Sequence, residues 1–342
     1  MTQKERLLHV LSGDAVERPP VVVPGGLVTA LSEEVMEAAR PDGWSLVHCA
    51  DGLASLSIHI HDTTGIENLG LPFTMRVESE AYGGEKDAFP SNEEPFSVGY
   101  PLRDVSEYRN LKVPDLGSDG RLPLVIDCIG ILSRRRPAAP VVADLVAPLS
   151  LATSLVDAHT VLRALVREPL RMHGLLSFLS EGTVEYMRRL IGAGASAIFL
   201  VDPFSTAQTL GPQLFREFAL RYINTITDAA HEMGCPVMVH LCGDLKKIID
   251  ELHELHAECL SVDSSTSTAE IADALPFHRI MGGMDSLELS TCTPQEVLTA
   301  AEAALAGGVD ILAPSCGLDG RVTVENLRAM VRAVHRGAVC AE

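Results

Sequence analysis

The chain is poor in the residues that nucleic-acid and membrane partners require. Aromatic residues make up 4% of the 342 residues, too few for surfaces that stack bases. Lysine and arginine number 27 against 46 acidic residues, and the net charge of −19 disfavours nucleic acid or an anionic membrane as the main partner. The basic run Arg134-Arg135-Arg136 is short. We therefore expect no nucleic-acid partner and no membrane partner.

The sequence also has no run of about 18 apolar residues, which a membrane-spanning helix would need. It opens without a charged, apolar and small-residue leader, so we expect a soluble, cytoplasmic protein. Its eight cysteines then indicate buried apolar side chains or metal ligands, because disulfide frameworks belong mainly to small secreted domains. Cys242 and Cys316 each follow an apolar run and precede a glycine, which makes them the candidates for ligands.

Strand-like and helix-like segments alternate regularly from Pro140 onward, which is typical of βαβ units and a parallel sheet. Counting from Pro20 gives about eight strands, the number that closes a (β/α)8 barrel. An open doubly wound sheet is the alternative, but no G-x-G-x-x-G phosphate turn is present. We predict one TIM barrel domain over residues 1–342. After Pro140 the predicted strands are residues 141–149, 197–201, 237–241, 259–262, 279–284 and 309–314, and the predicted helices are 150–166, 181–192, 213–233, 245–256, 294–306 and 324–334.

The first 120 residues fit this alternation less well. Residues 2–11 predict an amphipathic helix with a capping box, and residues 32–64 also read as helical, which together predict an N-terminal helical extension. Residues 18–23 and 71–78 are short candidate strands. Residues 82–120 are rich in Gly, Pro, Asp and Glu, which predicts an excursion over the surface or a lid rather than part of the core.

Two strand ends supply a possible metal site. An apolar run at residues 236–239 leads into His240 and Cys242, which point to the same side because strand side chains alternate. A second apolar run, at residues 309–314, leads to Cys316. In a barrel these strand ends share one mouth, so an imidazole and two thiolates would form a three-ligand zinc site with one open position. The alternative of a core histidine and two buried cysteines stays open on the residues alone.

These motifs resemble those of the uroporphyrinogen decarboxylase-like superfamily, in particular its methylcobamide:coenzyme M methyltransferase branch. H-L-C-G at residues 240–243 and A-P-S-C-G at residues 313–317 resemble the His-x-Cys…Cys zinc pattern of that branch. The resemblance covers nearly the whole chain. It is also carried by residues 4–20, 71–80, 202–215, 260–263, 281–285 and 325–331.

The resemblance implies a (β/α)8 barrel with one catalytic zinc held by His240, Cys242 and Cys316. It implies methyl transfer between a protein-bound corrinoid (cobalamin) and a small molecule, either a thiol acceptor such as coenzyme M or a methyl donor such as a methyl ether. The direction stays open. No D-x-H-x-x-G run of a corrinoid-binding module is present, so the corrinoid is expected to arrive on a separate protein.

One departure from the family pattern weighs against porphyrinogen decarboxylation. The decarboxylases bind a tetrapyrrole through an arginine-rich loop of the R-Q-A-G-R type, whereas residues 24–29 here read P-G-G-L-V-T. Two alternatives to methyl transfer remain. One is a decarboxylase that needs no metal, and the other is a non-catalytic zinc protein whose site a fourth protein ligand would close.

Four acidic residues are further candidates for the site. Glu78 is a candidate fourth zinc ligand or binder of its water, with a structural ion pair as the alternative. Asp202 is a candidate catalytic residue that would orient His240 or bind polar groups of the substrate, and capping the next turn is the alternative. Asp263 and Asp285, at the ends of two more predicted strands, carry the same ambiguity and lean toward capping.

Overall fold

Six parallel β-strands lie side by side in chain order, and helices connect each strand to the next. The structure, a computed structural model, describes residues 1–24, 34, 48–71, 76–84, 99–318 and 320–339. The strands are β1 (Val142–Val146), β2 (Ala197–Asp202), β3 (Val237–Leu241), β4 (Cys259–Val262), β5 (Arg279–Met284) and β6 (Ile311–Pro314).

Helices surround these strands and also precede them. Within the described residues, no helix combines the length and the apolar character that crossing a bilayer would require. A π-helical turn, Phe215–Leu220, joins two of the helices, and shorter 3-10 turns lie at Val105–Asn110 and Leu245–Ile248. The helices are α1 (Gln3–Ser12), α2 (Ala50–Thr64), α3 (Val77–Ala81), α4 (Leu122–Arg135), α5 (Pro148–Leu155), α6 (Ala158–Arg167), α7 (Pro169–Ala193), α8 (Ala207–Leu214), α9 (Arg221–His231), α10 (Ile249–Leu252), α11 (Thr268–Ala274), α12 (Ser286–Thr291), α13 (Pro294–Ala306) and α14 (Val324–Val339).

Two extended segments lie between β6 and β1. Val21 makes an isolated parallel bridge with Leu312 of β6, and Leu69 makes one with Val141 beside β1. The backbone N–H of Glu67 donates to the carbonyl of Val21 at 3.0 Å, which joins the two segments to each other. The fold is therefore TIM-barrel-like α/β, as the alternation predicted. Six strands are regular in the described part of the chain, and the count of eight stays a prediction because each extra segment forms a single bridge.

The strand register decides which side chains face the barrel interior. Val201 of β2 pairs with His240 of β3, and His240 pairs with Ser261 of β4. Paired residues of parallel strands project to the same face, so these three side chains share the interior. The alternate residues of the strands are aliphatic and fully buried, as expected for the face that packs on helices. They include Leu145, Ile198, Leu200, Val239, Leu260 and Ile280.

Local signals at the amino terminus produced the predicted helix. The Thr2 hydroxyl accepts from the N–H of Glu5 at 3.2 Å, and the Glu5 carboxylate accepts from the N–H of Thr2 at 2.8 Å, which completes the capping box. Helix α1 ends at Gly13, whose φ of 84° lies in the left-handed region that favours glycine. The N–H of Lys4 donates to the carbonyl of Ala138, ahead of β1, so α1 lies at the amino-terminal end of the barrel.

Several predicted boundaries are wrong. The predicted strand at residues 71–78 instead enters α3 at Val77, and residues 72–75 lie outside the described residues. The predicted helix at residues 150–166 is two helices, since Asp157 caps a new one by accepting from the N–H of Thr160. The predicted helix at residues 213–233 begins earlier and contains the π-helical turn.

The remaining predictions for the first 120 residues are met in part. Helix α2 confirms the second half of the helix predicted at residues 32–64, and most of its first half lies outside the described residues. In the predicted surface excursion, residues 85–98 also lie outside them. Residues 99–120 are mostly exposed or half-buried, as expected for a segment on the surface.

Candidate metal centre

His240, Cys242 and Cys316 come together at the carboxyl ends of β3 and β6. Their ligand atoms all lie within 4.8 Å of one another, and they are the one such group of three in the described part of the chain. The Nε2 atom of His240 lies 3.3 Å from the Sγ of Cys242, and the two sulfurs are 3.9 Å apart. The structure thus brings together the three residues that the sequence placed at one barrel mouth.

These distances fit a tetrahedral zinc ion. Zn–S bonds of about 2.3 Å and Zn–N bonds of about 2.0–2.1 Å at tetrahedral angles place two sulfurs about 3.8 Å apart and a sulfur and a nitrogen about 3.6 Å apart. The observed separations of 3.9 and 3.3 Å are close to these values. A soft set of two thiols and one imidazole also matches the preference of zinc. Three ligands leave one position open for water or substrate.

Two neighbours hold the ring of His240. Its Nδ1 atom lies 3.1 Å from the Oγ of Ser261, within hydrogen-bonding distance, while Nε2 faces Cys242. The ring of Phe199 stacks beside the imidazole with 6.1 Å between centroids and 27° between planes. His240 itself is 1% exposed. A partner on Nδ1 leaves Nε2 as the nitrogen available to a metal, so the ring is oriented before any ion binds.

The loop that carries Cys316 is held by the first residue of α12. The N–H of Cys316 donates to the Oγ of Ser286 at 3.2 Å, and the Ser286 hydroxyl donates to the Cys316 carbonyl at 3.0 Å. Because Ser286 follows β5 and Cys316 follows β6, this pair of bonds ties two neighbouring strand ends together. The second sulfur ligand is therefore positioned by backbone contacts as well as by its strand.

The two thiols are poised to lose their protons unequally. Hydrogen bonds from Cys242 and His240 lower the pKa of Cys316, because they stabilise its thiolate. The same contact and burial raise the pKa of Cys242. One thiolate is thus favoured by the protein alone, and the second requires a cation between the sulfurs.

The acidic candidates adopt different roles around this group. Asp202 is fully buried, and its Oδ1 accepts from the Ser150 hydroxyl at 2.5 Å rather than from His240. Burial raises the pKa of Asp202 to about 6. Asp263 accepts from the N–H of Ser265 in a tight turn, and Asp285 caps α12. The contacts of Asp263 and Asp285 are therefore those of residues that cap a turn or a helix, the alternative given for them above.

Glu78 lies apart from the three ligands. It sits on α3, and its Oε1 accepts from the N–H of Val146 at the end of β1, at 2.8 Å. Burial raises the pKa of Glu78 to about 7, with the charge of Glu80 adding to the effect. Its role as a fourth ligand stays a prediction, whereas its bond to β1 is a structural role that the sequence did not reveal.

Sequence reasoning missed Ser261 and Ser286. Ser261 lies within residues 260–263, which carry part of the family resemblance, and Ser286 directly follows residues 281–285, but no pattern marks either serine as a site residue. Only the pairing of β3 with β4 and the approach of α12 to the Cys316 loop bring them to the site. The sequence gave a partial indication for Ser261 alone, because it lies two residues before Asp263, near the end of a predicted strand.

The first prediction concerns Ser261. We expect Ser261→Ala to lower zinc affinity about 10- to 100-fold, because the Nδ1 partner that orients His240 is lost. Competition with a chromophoric chelator measures this affinity. Ser180→Ala is the matched control, since Ser180 is also buried but donates to the carbonyl of Leu176 within α7. Equal zinc affinities in the two variants would show that Ser261 does not support the ligand.

The second prediction concerns the pH dependence of stability through Glu78. Its folded-state pKa of about 7 exceeds the ordinary value of 4.5, so its contribution to stability is full below pH 4.5 and is lost as the pH rises through 7. Glu78→Gln keeps the acceptor for Val146 without a charge. The free energy of unfolding of the variant, relative to that of the parent protein, should therefore rise by about 2.5 kcal/mol from pH 5 to pH 8.

Denaturant titrations at the two pH values measure this gain. Glu185→Gln is the control, because Glu185 is exposed and its pairing with Arg189 spans 3.5 Å at the surface. A difference between Glu78→Gln and the parent protein that stays constant with pH would contradict the prediction.

A TIM-barrel-like α/β protein with a His-Cys-Cys group at its strand ends is the class that these observations define. The family model described as uroporphyrinogen decarboxylase (URO-D) matches residues 2–337, and the chain belongs to that family. The family membership expected from the motifs is thereby confirmed.

The relatives that match over nearly the full chain include methylcobamide:CoM methyltransferases. The chain is 27% identical to methylcobamide:CoM methyltransferase MtbA of Methanosarcina acetivorans over 96% of each chain. It is also 27% identical to methylcobamide:CoM methyltransferase MtaA of Methanosarcina barkeri over 97% of each chain. A solved structure of a methyltransferase from Methanosarcina mazei superimposes with a TM-score of 0.88 at 27% identity, covering 98% of this chain and 99% of the other. The resemblance to this branch is confirmed.

Proposed function

We propose that this protein is a zinc-dependent methyltransferase that moves a methyl group between a protein-bound corrinoid and a small molecule. The observation that carries the proposal is the meeting of His240, Cys242 and Cys316 at distances that fit three ligands of a tetrahedral zinc ion. The similarity to two methylcobamide:CoM methyltransferases over almost the full chain supports the reaction class.

The three ligands suit activation of a thiol. When bound, zinc would supply a Lewis acid whose dipositive charge two thiolates offset, so that a thiol in the open position loses its proton without losing its nucleophilicity. Ser261 holds the imidazole of His240, and Ser286 holds the backbone of Cys316. The buried position of His240 limits competing water at this side of the site.

A thiol acceptor and a corrinoid protein are the partners we propose. The names of both relatives specify a methylcobamide and coenzyme M. Cys242 and Cys316 are partly exposed at the ends of β3 and β6, where a second protein could present its cofactor. Methyl transfer from a donor such as a methyl ether to the corrinoid uses the same ligands in the reverse sense and is tested in the same assay.

The assay has a metal arm and a transfer arm. Purified protein should contain about one zinc per chain, as three protein ligands require. Methylcobalamin is mixed with candidate thiols, and cob(I)alamin with candidate methyl donors, while the cobalamin spectrum reports transfer. Zinc together with transfer in either panel supports the proposal. Zinc without transfer in both panels favours a non-catalytic zinc protein, and decarboxylation by metal-free protein would favour the decarboxylase alternative.

A further inference from the structure

The two sulfurs of the metal centre lie close to each other as well as to the position of an ion. The Sγ atoms of Cys242 and Cys316 are 3.9 Å apart, and this is the one contact between cysteine sulfurs in the described part of the chain. Cys242 follows β3 and Cys316 follows β6, and both strands belong to the same sheet. The fold therefore holds two thiols side by side, although 74 positions separate them in the sequence.

Small solutes have access to this pair of cysteines. Cys242 and Cys316 are half-buried at the ends of their strands, and Cys49 is exposed on another part of the chain. A peroxide can therefore reach the pair, since oxidation of a thiol requires access to its sulfur. Three other cysteines are buried and shielded from such a reagent, namely Cys128, Cys235 and Cys259.

A short movement of the side chains would join the two sulfurs. A disulfide bond is about 2.05 Å long, so the sulfurs must approach each other by about 1.9 Å. Rotation of one cysteine side chain between staggered rotamers moves its sulfur by about 3 Å, which is enough for this approach. The backbone of Cys316 would keep both of its hydrogen bonds with Ser286 during such a rotation.

We propose that Cys242 and Cys316 form a site of reversible oxidation, at which a peroxide joins them in a disulfide and the metal centre loses its zinc. The loss of zinc rests on the proposed function, whereas the disulfide depends only on the two sulfurs. A disulfide contains no thiolate, so two of the three zinc ligands disappear and His240 remains alone. The oxidation state of this pair then decides whether the site binds zinc.

The reaction balances with a peroxide as the oxidant. Hydrogen peroxide transfers one oxygen to the first sulfur, which becomes a sulfenic acid, and its other oxygen leaves as water. The second sulfur attacks the sulfenic sulfur, so that the S–S bond forms, the S–O bond breaks and a second water leaves. Two electrons pass from the sulfurs to the peroxide. The two thiols supply the two protons, and solvent supplies them where zinc has already displaced them.

Treatment of the zinc-loaded protein with hydrogen peroxide tests the proposal. The peroxide is limited to one equivalent per chain, so that oxidation beyond the disulfide is kept small. A chromophoric chelator measures released zinc, and mass spectrometry after alkylation of free thiols identifies the linked peptides. We expect the loss of about one zinc per chain for each disulfide between Cys242 and Cys316. Dithiothreitol should cleave the disulfide by thiol exchange, after which added zinc should bind again.

Two controls separate this pair from cysteine oxidation in general. Cys49→Ser should leave both the disulfide and the loss of zinc unchanged, because Cys49 is exposed but contacts no other cysteine sulfur among the described residues. Protein from which a chelator has removed the metal should form the same disulfide faster, because zinc no longer occupies the two sulfurs.

The outcomes distinguish this inference from the proposed function. Oxidation of Cys242 or Cys316 without a disulfide between them, or no reaction of either, would overturn the inference even if zinc and methyl transfer are found. A disulfide between them that leaves zinc bound would overturn it as well. The expected disulfide in purified protein that never binds zinc would support the oxidation site and contradict the proposed function.

Discussion

Cys316→Ser is expected to abolish zinc binding and methyl transfer together. A serine hydroxyl is a hard, weakly acidic ligand and cannot replace a thiolate between Cys242 and His240, 3.9 Å from the other sulfur. Transfer should fall by more than about 100-fold, the upper end for changes in residues that only support a ligand. Metal analysis of the purified protein and the cobalamin assay measure the two losses.

The same substitution at other cysteines distinguishes the loss of a zinc ligand from the general effect of replacing a cysteine. Cys242→Ser should match Cys316→Ser, since both sulfurs lie in the same group. Cys49→Ser is the matched control, because Cys49 is exposed and precedes α2 without a side-chain cap bond. Full zinc retention in both Cys242→Ser and Cys316→Ser would contradict the assignment of the metal centre. Zinc loss in the Cys49 variant as well would indicate a general effect on folding.

Glu67→Ala is expected to cost about 3–5 kcal/mol of unfolding free energy, the range for breaking a buried ion pair by removing one partner. Glu67 is 1% exposed beside the bridges of Val21 and Leu69, and one oxygen accepts from Arg6 at 2.6 Å. Its other oxygen accepts from Arg18. Removal leaves two guanidinium groups facing each other without their shared carboxylate. Denaturant titration at neutral pH measures the loss.

Glu17 provides the comparison for this prediction. It also binds Arg6, at 2.5 Å, but its side chain is 45% exposed whereas that of Glu67 is 2% exposed. Water solvates the charges of an exposed ion pair whether or not the pair forms. Glu17→Ala should therefore lower the unfolding free energy by no more than about 1 kcal/mol. Similar losses in the two variants would show that burial does not set the strength of this network.

These two predictions concern opposite ends of one barrel. The ion pairs of Glu67 tie helix α1 to the segments that lie between β6 and β1, and the metal centre lies at the carboxyl ends of the strands. The division is the usual one for this architecture, with stability residues at the amino-terminal end and chemistry at the carboxyl end. Glu67→Ala should therefore lower stability with little change in the zinc affinity of folded protein.

Some features followed from short-range rules that the sequence carries directly. Thr2 and Glu5 specify the start of α1, because a capping box needs only four consecutive residues. His240 and Cys242 share one side because strand side chains alternate. Cys316 joined them because parallel strands of a barrel end at one mouth. Each inference needed local periodicity and a single assumption about topology.

Other features depended on which residue lies opposite which. Ser261 meets His240 through the register between β3 and β4. This register cannot be read from periodicity, since any even shift would keep the same faces buried. Glu78 was predicted to lie in a strand, but it lies in α3, where its carboxylate accepts from the N–H of Val146 at the end of β1.

By itself, the sequence therefore determined the alternating architecture, the opening helix and the identity of the three candidate ligands. The tertiary structure decided their supporting contacts and the bridging of β6 to β1 through Val21 and Leu69. The physical reason is the distance along the chain between the residues that interact. Capping and alternation act over a few residues, whereas register and burial arise from segments up to about three hundred residues apart in the chain, such as Val21 and Leu312.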